Sequence, residues 1–336
     1  MKRANLILVI SLFLFSTPAF GLEAVKVGWI PNMGFAPFYI ALEKGYFKEL
    51  GLDVRLEPLP GGGDILAMVA SGHFDVGGGA MSARTFNAYK TGLDFLVVSS
   101  FITEIPPLTA PLIVRKESFD KGAVRSIKDL KGKKVAVNAL GVATEFTLNE
   151  ALKKGGLTIS DIDLVTIPFP LMPQALAGGQ IEAAIAADPF ATMAIKKGYG
   201  VILSGDHLPY LDAVVLYYNK DFATRRRRVA EAFMVGFLKG ARDLYNKGWK
   251  SEEHIAIHAK YTKTPPEIVR DSFPPFIHPN GRLNVDNLME QQRFLMGRGY
   301  LKYTDLIDIN KMIDYSFVES ALKVLGEVKN VEMGKR

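Results

Sequence analysis

Residues Gly51–Gly79 read "GLDVRLEPLPGGGDILAMVASGHFDVGGG". Two glycine triplets stand a short helix apart, each beside a strand-like run. "LDVRLEPL" alternates apolar and polar residues as a half-buried strand does. Asp64 then opens a short helix, "DILAMVASG", which Gly72 ends, and "FDVGGGA" follows as a short strand. Glycine triplets at strand ends often cradle phosphates, but the pattern G-x-x-x-x-G-K-[ST] does not occur here. As a dinucleotide fingerprint, Gly61 and Gly63 fit, while Leu66 stands where the third glycine belongs.

The surrounding chain extends the pattern. "AVKVGWI" from Ala24 reads as a buried strand ended by Pro31, and "APFYIALEKGYFKEL" as one helix stopping at Gly51. With "MSARTFNAYKTG" as a third helix, the order is β-α-β-α-β-α, which predicts a largely parallel sheet with helices on its faces. The same order recurs later in "GKKVAVNA", "ATEFTLNEALKKGGL", "DIDLVTIPF", "MPQALAGG", "IEAAIAA" and "FATMAIKKGYG". Gly51-Leu52 matches Gly156-Leu157, and "SGHFDVGG" matches "GGQIEAAI", at nearly one offset. Two similar α/β lobes are expected, joined by a two-strand hinge through "DFLVVSSF" (94–101) and "AVVLYYNKDF" (213–222). From Thr224 onward the pattern is nearly all helical, and this tail is expected to pack on the first lobe. The expected division is a leader over 1–21, lobe I over 22–100 and 213–336, and lobe II over 101–212.

Lys2 and Arg3 precede the apolar run Leu6–Phe15 and then "STPAFG", the layout of a cleaved signal peptide with its cut near Ala19-Phe20-Gly21. The run is about half the ~20 residues that a membrane span requires. The sequence has no cysteine, which excludes a disulfide scaffold, a thiolate metal site, a cysteine nucleophile and a lipid-bearing cysteine. Export without a lipid anchor predicts a periplasmic protein. Without Lys2 and Arg3 the formal net charge falls from +6 to +4, too mild to argue for nucleic acid.

"GYFKELGLDV", with the pattern GYF-x3-GL-x-V, and "SGHFDVG", with SG-x-x-D-x-G, resemble the SsuA/THI5-like (NMT1) substrate-binding proteins of ABC importers. So does "LKGKKVAVNALGVATEFTLNEALKKGGL", followed by "QALAGGQIEAAIAADPF". The likeness covers roughly Ala24 to Lys220. It implies a type II periplasmic-binding-protein fold that closes on a small molecule, with an ABC permease and its ATPase as partners and no cofactor. It further implies a monomer that does no chemistry. The ligands of this group include sulfonates, taurine, nitrate, pyrimidine precursors of thiamine, and riboflavin.

In open α/β sheets, ligands bind beyond the carboxyl ends of the strands, so the strand-end loops are the candidate contacts. In "WIPNMGFAP", Trp29 and Phe35 could flank a planar group, or be core, while Asn32 offers donors and an acceptor and Ala36 completes the loop. This loop looks closest to the pyrimidine-precursor and riboflavin branch. Gly62 and Gly78 are expected to lie bare so that a ligand reaches the backbone, with bulky substitutions abolishing binding and sparing the fold. Ser82 adds a hydroxyl. In the second lobe Asn138, Gly141 and Thr144 occupy the corresponding turn, and Asp188 in "ADPF" either contacts ligand or caps the next helix. Sulfonate binders tend to carry hydroxyls and a histidine in that turn, where this chain has Ala143 and Glu145.

Other signals are weak. His254 and His258 have i, i+4 spacing but lack the glutamate of H-E-x-x-H, so a packed or solvated helix face is expected instead of zinc. Arg225–Arg228 is read as a solvated face, or as a contact to the transporter or anionic lipid. Enzymes on the same fold, the THI5-type pyrimidine synthases, carry a cysteine-rich motif that a cysteine-free chain cannot have. No Ser-His-Asp or metal constellation is legible.

Overall fold

The computed structural model describes residues 21–59 and 64–333; the expected signal peptide falls almost wholly outside them, and Gly62 does so entirely. The first half runs β1 (Glu23–Trp29), α1 (Ala36–Glu43), α2 (Tyr46–Glu49), β2 (Leu52–Pro58), α3 (Ile65–Ala70), β3 (Val76–Ala80), α4 (Ala83–Lys90) and β4 (Phe95–Glu104). The helix expected over 36–50 is two helices, because Gly45 takes φ +73° between them. The second half runs β5 (Leu112–Arg115), α5 (Lys116–Asp120), β6 (Lys134–Val137), α6 (Ala143–Lys154), β7 (Asp163–Thr166), α7 (Met172–Ala177), β8 (Ala183–Ile185), α8 (Phe190–Lys196) and β9 (Gly200–Ser204). β10 (Leu211–Asn219) precedes α9 (Lys220–Arg225), α10 (Arg227–Lys247), α11 (Glu252–Thr262), α12 (Pro266–Asp271), α13 (Val285–Gly297), α14 (Ile309–Met312) and α15 (Ser316–Leu325).

Two five-stranded sheets result, in the orders β2-β1-β3-β10-β4 and β7-β6-β8-β5-β9. The orders correspond strand for strand, which is the near-repeat of the sequence made three-dimensional. Neither sheet is largely parallel, however. β1 pairs parallel with β2 and β3, whereas β10 runs antiparallel to both β3 and β4. In the second sheet β5 is likewise antiparallel to β8 and β9. The βαβ crossovers dictate the parallel part; the strands that link the halves enter from the opposite direction and make each sheet mixed.

The second glycine triplet does not lie at a strand end. Gly77, Gly78 and Gly79 sit inside β3, flanked by β1 and β10. An added Cβ would lie 2.4 Å from Ile65 at Gly77, 2.4 Å from the Phe101 ring at Gly78 and 2.6 Å from the Tyr217 ring at Gly79. These glycines let α3 and two aromatic rings close on the strand.

The tail supplies much of the core. α10 lies along α1, where Gly240 brings its backbone against the carbonyl of Pro37 and Gly236 leaves room for the Phe47 ring. Phe38, Phe101, Phe233 and Phe237 form a ring cluster between sheet and helix, with Phe38 and Phe101 centroids 4.8 Å apart. Among the described residues no helix is long and apolar enough to cross a membrane.

Two weak sequence signals find their places in the core and on the surface. His254 and His258 are fully buried: His254 contacts the Gly248 carbonyl and Asp243, while His258 bonds the Tyr39 hydroxyl and stacks on Trp249. Among the described residues no cluster of three or more His, Asp or Glu could hold a metal ion. Nor is the arginine run uniformly solvated. Arg226 bonds Asp75 and the Ala24 carbonyl, and Arg227 bonds Glu231 and Ser316 while lying over the Phe317 ring.

Candidate ligand cleft

A cavity of about 400 Å³ lies between the two sheets, within the range of small-ligand sites. The first half contributes Asn32, Phe35, Ser82, Arg84, Thr85 and Ile102. The second contributes Asn138, Gly141, Thr144, Thr147, Phe169, Asp188 and Phe190. Phe273 and Pro275, from the loop after α12, close one side.

Local chemistry places each polar group. Asn32 and Ser82 both hold extended backbone at a helix start, where their side-chain oxygens accept from Gly34 N and Thr85 N respectively. The Thr144 hydroxyl donates to Asn138 Oδ1 at 2.5 Å across the strand-to-helix turn. Gly141 takes φ +69°, a conformation that favours glycine. Asp188 is committed on both oxygens: Oδ1 accepts from Thr192 N at 2.8 Å, and Oδ2 from Phe273 N at 2.5 Å. It therefore caps α8 and also reaches the C-terminal region; burial pushes its carboxyl up from the ordinary range. Glu104, also at the cavity wall, accepts from the backbone N–H and the hydroxyl of Thr109.

Of the residues expected from sequence, the structure brings Asn32, Phe35, Ser82, Asn138, Gly141, Thr144 and Asp188 together around this cavity. Three others lie elsewhere. Trp29 is packed edge-on between Tyr39 and Tyr261, under the face that α1 and α11 cover. Ala36 is fully buried in the first turn of α1. Gly78 faces the Phe35 and Phe101 rings. The sequence reading missed Thr109, Phe169, Phe190, Phe273 and Pro275. "IPFP" and "FPPF" carry turn signals that could have marked two of these loops.

Both halves also meet at the rim. Ala83 N donates to the Gly141 carbonyl at 2.9 Å. Glu145, fully buried in the first turn of α6, accepts from Gly141 N at 2.7 Å, Arg298 Nε at 2.8 Å and the Tyr300 hydroxyl at 3.1 Å. Below the cavity, Asp212 ties β10 to β4 and the tail, accepting from Ser100, Thr103, Tyr210 and Asn284 N; burial pushes its carboxyl up to about 6.

Two matched mixed sheets facing a lined cleft define the fold of the periplasmic binding proteins. It is shared with the alkanesulfonate-binding protein SsuA of Xanthomonas axonopodis pv. citri bound to MOPS, at 20% identity and TM-score 0.70 over 88% of this chain and 99% of that one. The nitrate-binding protein NrtA of Synechocystis PCC 6803 gives 16% identity and TM-score 0.73 over 91% and 89%. The chain belongs to the NMT1/THI5-like family, whose description matches residues 32–248. A Haemophilus influenzae protein named for thiamine biosynthesis is 24% identical over 86% of this chain and 91% of its own length. The formylaminopyrimidine-binding protein of Halalkalibacterium halodurans is 27% identical over 65% of this chain and 66% of that protein. The pyrimidine phosphate synthase THI13 of Saccharomyces cerevisiae is 26% identical over 58% of this chain, which spans only 53% of that protein.

Proposed function

We propose that the protein is the solute-binding component of an ABC-type importer, capturing a small organic molecule in the cleft and delivering it to the permease and its ATPase. In this reading the two halves are lobes that hinge about the linking segments, as in the division expected from sequence. The exported protein works in the periplasm as a monomer. The observation that carries the proposal is a cavity walled by both halves, with phenylalanines from each and amide and hydroxyl groups between them. Such a wall suits a planar, hydrogen-bonding molecule. Phe35, Phe169 and Phe190 would hold its ring, with Asn32, Asn138 and Thr144 fixing its edge. Ala143 and Glu145, in the turn where sulfonate binders tend to carry a hydroxyl and a histidine, disfavour a simple sulfonate. Native mass spectrometry of the protein purified without unfolding should find a bound small molecule. Adding an aminopyrimidine should raise the thermal midpoint more than adding taurine does. A midpoint indifferent to aminopyrimidines, aromatic acids and sulfonates alike would count against the proposal.

The match to a named synthase supports a second reading, an enzyme on the same fold. The lack of any cysteine weighs against it, because the synthases that the family resemblance brings in use a cysteine-rich motif. Recovery of a chemically altered molecule after incubation with pure protein would favour the enzyme.

A further inference from the structure

Glu145 is a carboxylate with no solvent exposure, yet it is not a ligand of the cavity. Its Oε2 holds the backbone N–H of Gly141, within its own half, and its Oε1 takes the Arg298 guanidinium and the Tyr300 hydroxyl from the segment after α13. Gly141 lines the cavity, and its carbonyl accepts from Ala83 N of the opposite half. One peptide turn is thus gripped from both sides of the cleft. The Phe146 ring, one residue on, meets Phe294 of α13 edge-on at 5.5 Å. On the other flank of the cavity Asp188 repeats the arrangement, holding Thr192 N of its own half and Phe273 N of the tail. An ion pair between Lys196 and Asp271 lies on the same flank.

Any hinge motion that separates the lobes must break the Glu145–Arg298 and Glu145–Tyr300 bonds but leaves the Glu145–Gly141 bond whole. The carboxylate also lies in the first turn of α6, where the helix dipole favours an acidic group, and the Gly141 bond holds it in place to recapture the guanidinium. We propose that Glu145 is the positioning residue of cleft closure, a clasp that joins α6 of the second lobe to the Arg298–Tyr300 segment of the first and sets the Gly141 turn against the cavity. The proposal rests on the two-lobe reading above. Asp188 is the lesser clasp on the opposite flank.

The chain's lack of cysteine allows a clean test. Nitroxides on Lys153→Cys and Lys302→Cys, both exposed and one on each side of the cleft, report lobe separation by double electron–electron resonance. The otherwise unaltered protein should give one narrow, short distance. Glu145→Gln and Arg298→Met should each lower the closed-to-open ratio about tenfold or more, as expected for loss of a charge-assisted hydrogen bond. The double variant should open no further than the worse single one. Tyr300→Phe, which removes a neutral partner, should have a smaller effect in the same direction. Arg298 and Tyr300 are partly exposed, so their variants test the clasp even if Glu145→Gln fails to fold. An unchanged short distance in Arg298→Met overturns the proposal, whatever happens to the melting point. A long distance in the parent overturns it too. Failure to find any small-molecule ligand would count against the importer reading alone and leave the distance result standing.

Discussion

Gly78 has two aromatic rings where any side chain would go, Phe101 at 2.4 Å and Phe35 at 2.9 Å from an added Cβ. Phe35 is itself cavity wall. Gly78→Val is therefore expected to destabilise the fold by about 1–3 kcal/mol through overpacking, lowering the urea midpoint before any effect on binding is measured. A variant with an unchanged midpoint and lost binding would restore the glycine to the ligand surface. The sequence showed glycines at residues 77–79 and suggested a ligand as the reason for them, where the structure has packed side chains. A turn and a close approach both demand glycine, and the deciding neighbours, Phe101 and Tyr217, come from β4 and β10. Trp29 is the parallel case: its place at a strand end was legible, while the rings of Tyr39 and Tyr261 that absorb it belong to α1 and α11.

At the scale of elements, α6 was legible nearly to the residue, because its apolar spacing and the Gly155-Gly156 stop are local signals. The role of Glu145 within it was not, since Arg298 and Tyr300 lie on a distant segment. β5 and β9 escaped because strands of four and five residues carry too little alternation to be distinguished from loop. α10 was recognised as a helix from its period, and its glycines now have a reason. Gly240 puts α10 backbone against α1, with Pro37 O 2.4 Å and Ala41 Cβ 3.1 Å from an added Cβ. Because the obstacle is backbone, Gly240→Val should push the helices apart. It should cost about 1–3 kcal/mol, more than a β-branched residue costs at an exposed site of the same helix. Paired urea titrations of Gly240→Val and Asn246→Val, the latter at an exposed position of α10, would check this.

For the whole molecule, acid should be destabilising. Burial lowers the pKa of His207 to about 4, of His258 to about 3 and of His278 to about 4. Unfolded histidines titrate near 6.5, so the neutral rings contribute stability that is fully present above that pH and is lost as pH falls toward 4. Asp212, raised to about 6, works in the other direction: the fold takes up a proton there before the unfolded chain does, and gains stability as pH falls from about 6 toward 4. Asp188, also raised, acts in the same sense as Asp212. Three histidines outnumber the two carboxylates. Unfolding free energy should therefore drop between pH 7 and pH 5, by up to about 1.4 kcal/mol per pH unit for each uncompensated histidine. His207→Asn should flatten that slope. Greater stability at pH 5 than at pH 7 would contradict the assignment.

The sheet orders also bear on how the protein is made. Every strand of the second sheet comes from one unbroken stretch, Leu112 to Ser204. The first sheet is incomplete without β10, which inserts between β3 and β4 only after that whole stretch has been threaded. A chain emerging amino end first can finish its second sheet while the first still waits with the edges of β3 and β4 unpaired, the state in which strands are most prone to wrong partners. Newborn chains of this protein are thus most exposed to misassembly in their earliest-made part, and a chaperone that guards them would do so there.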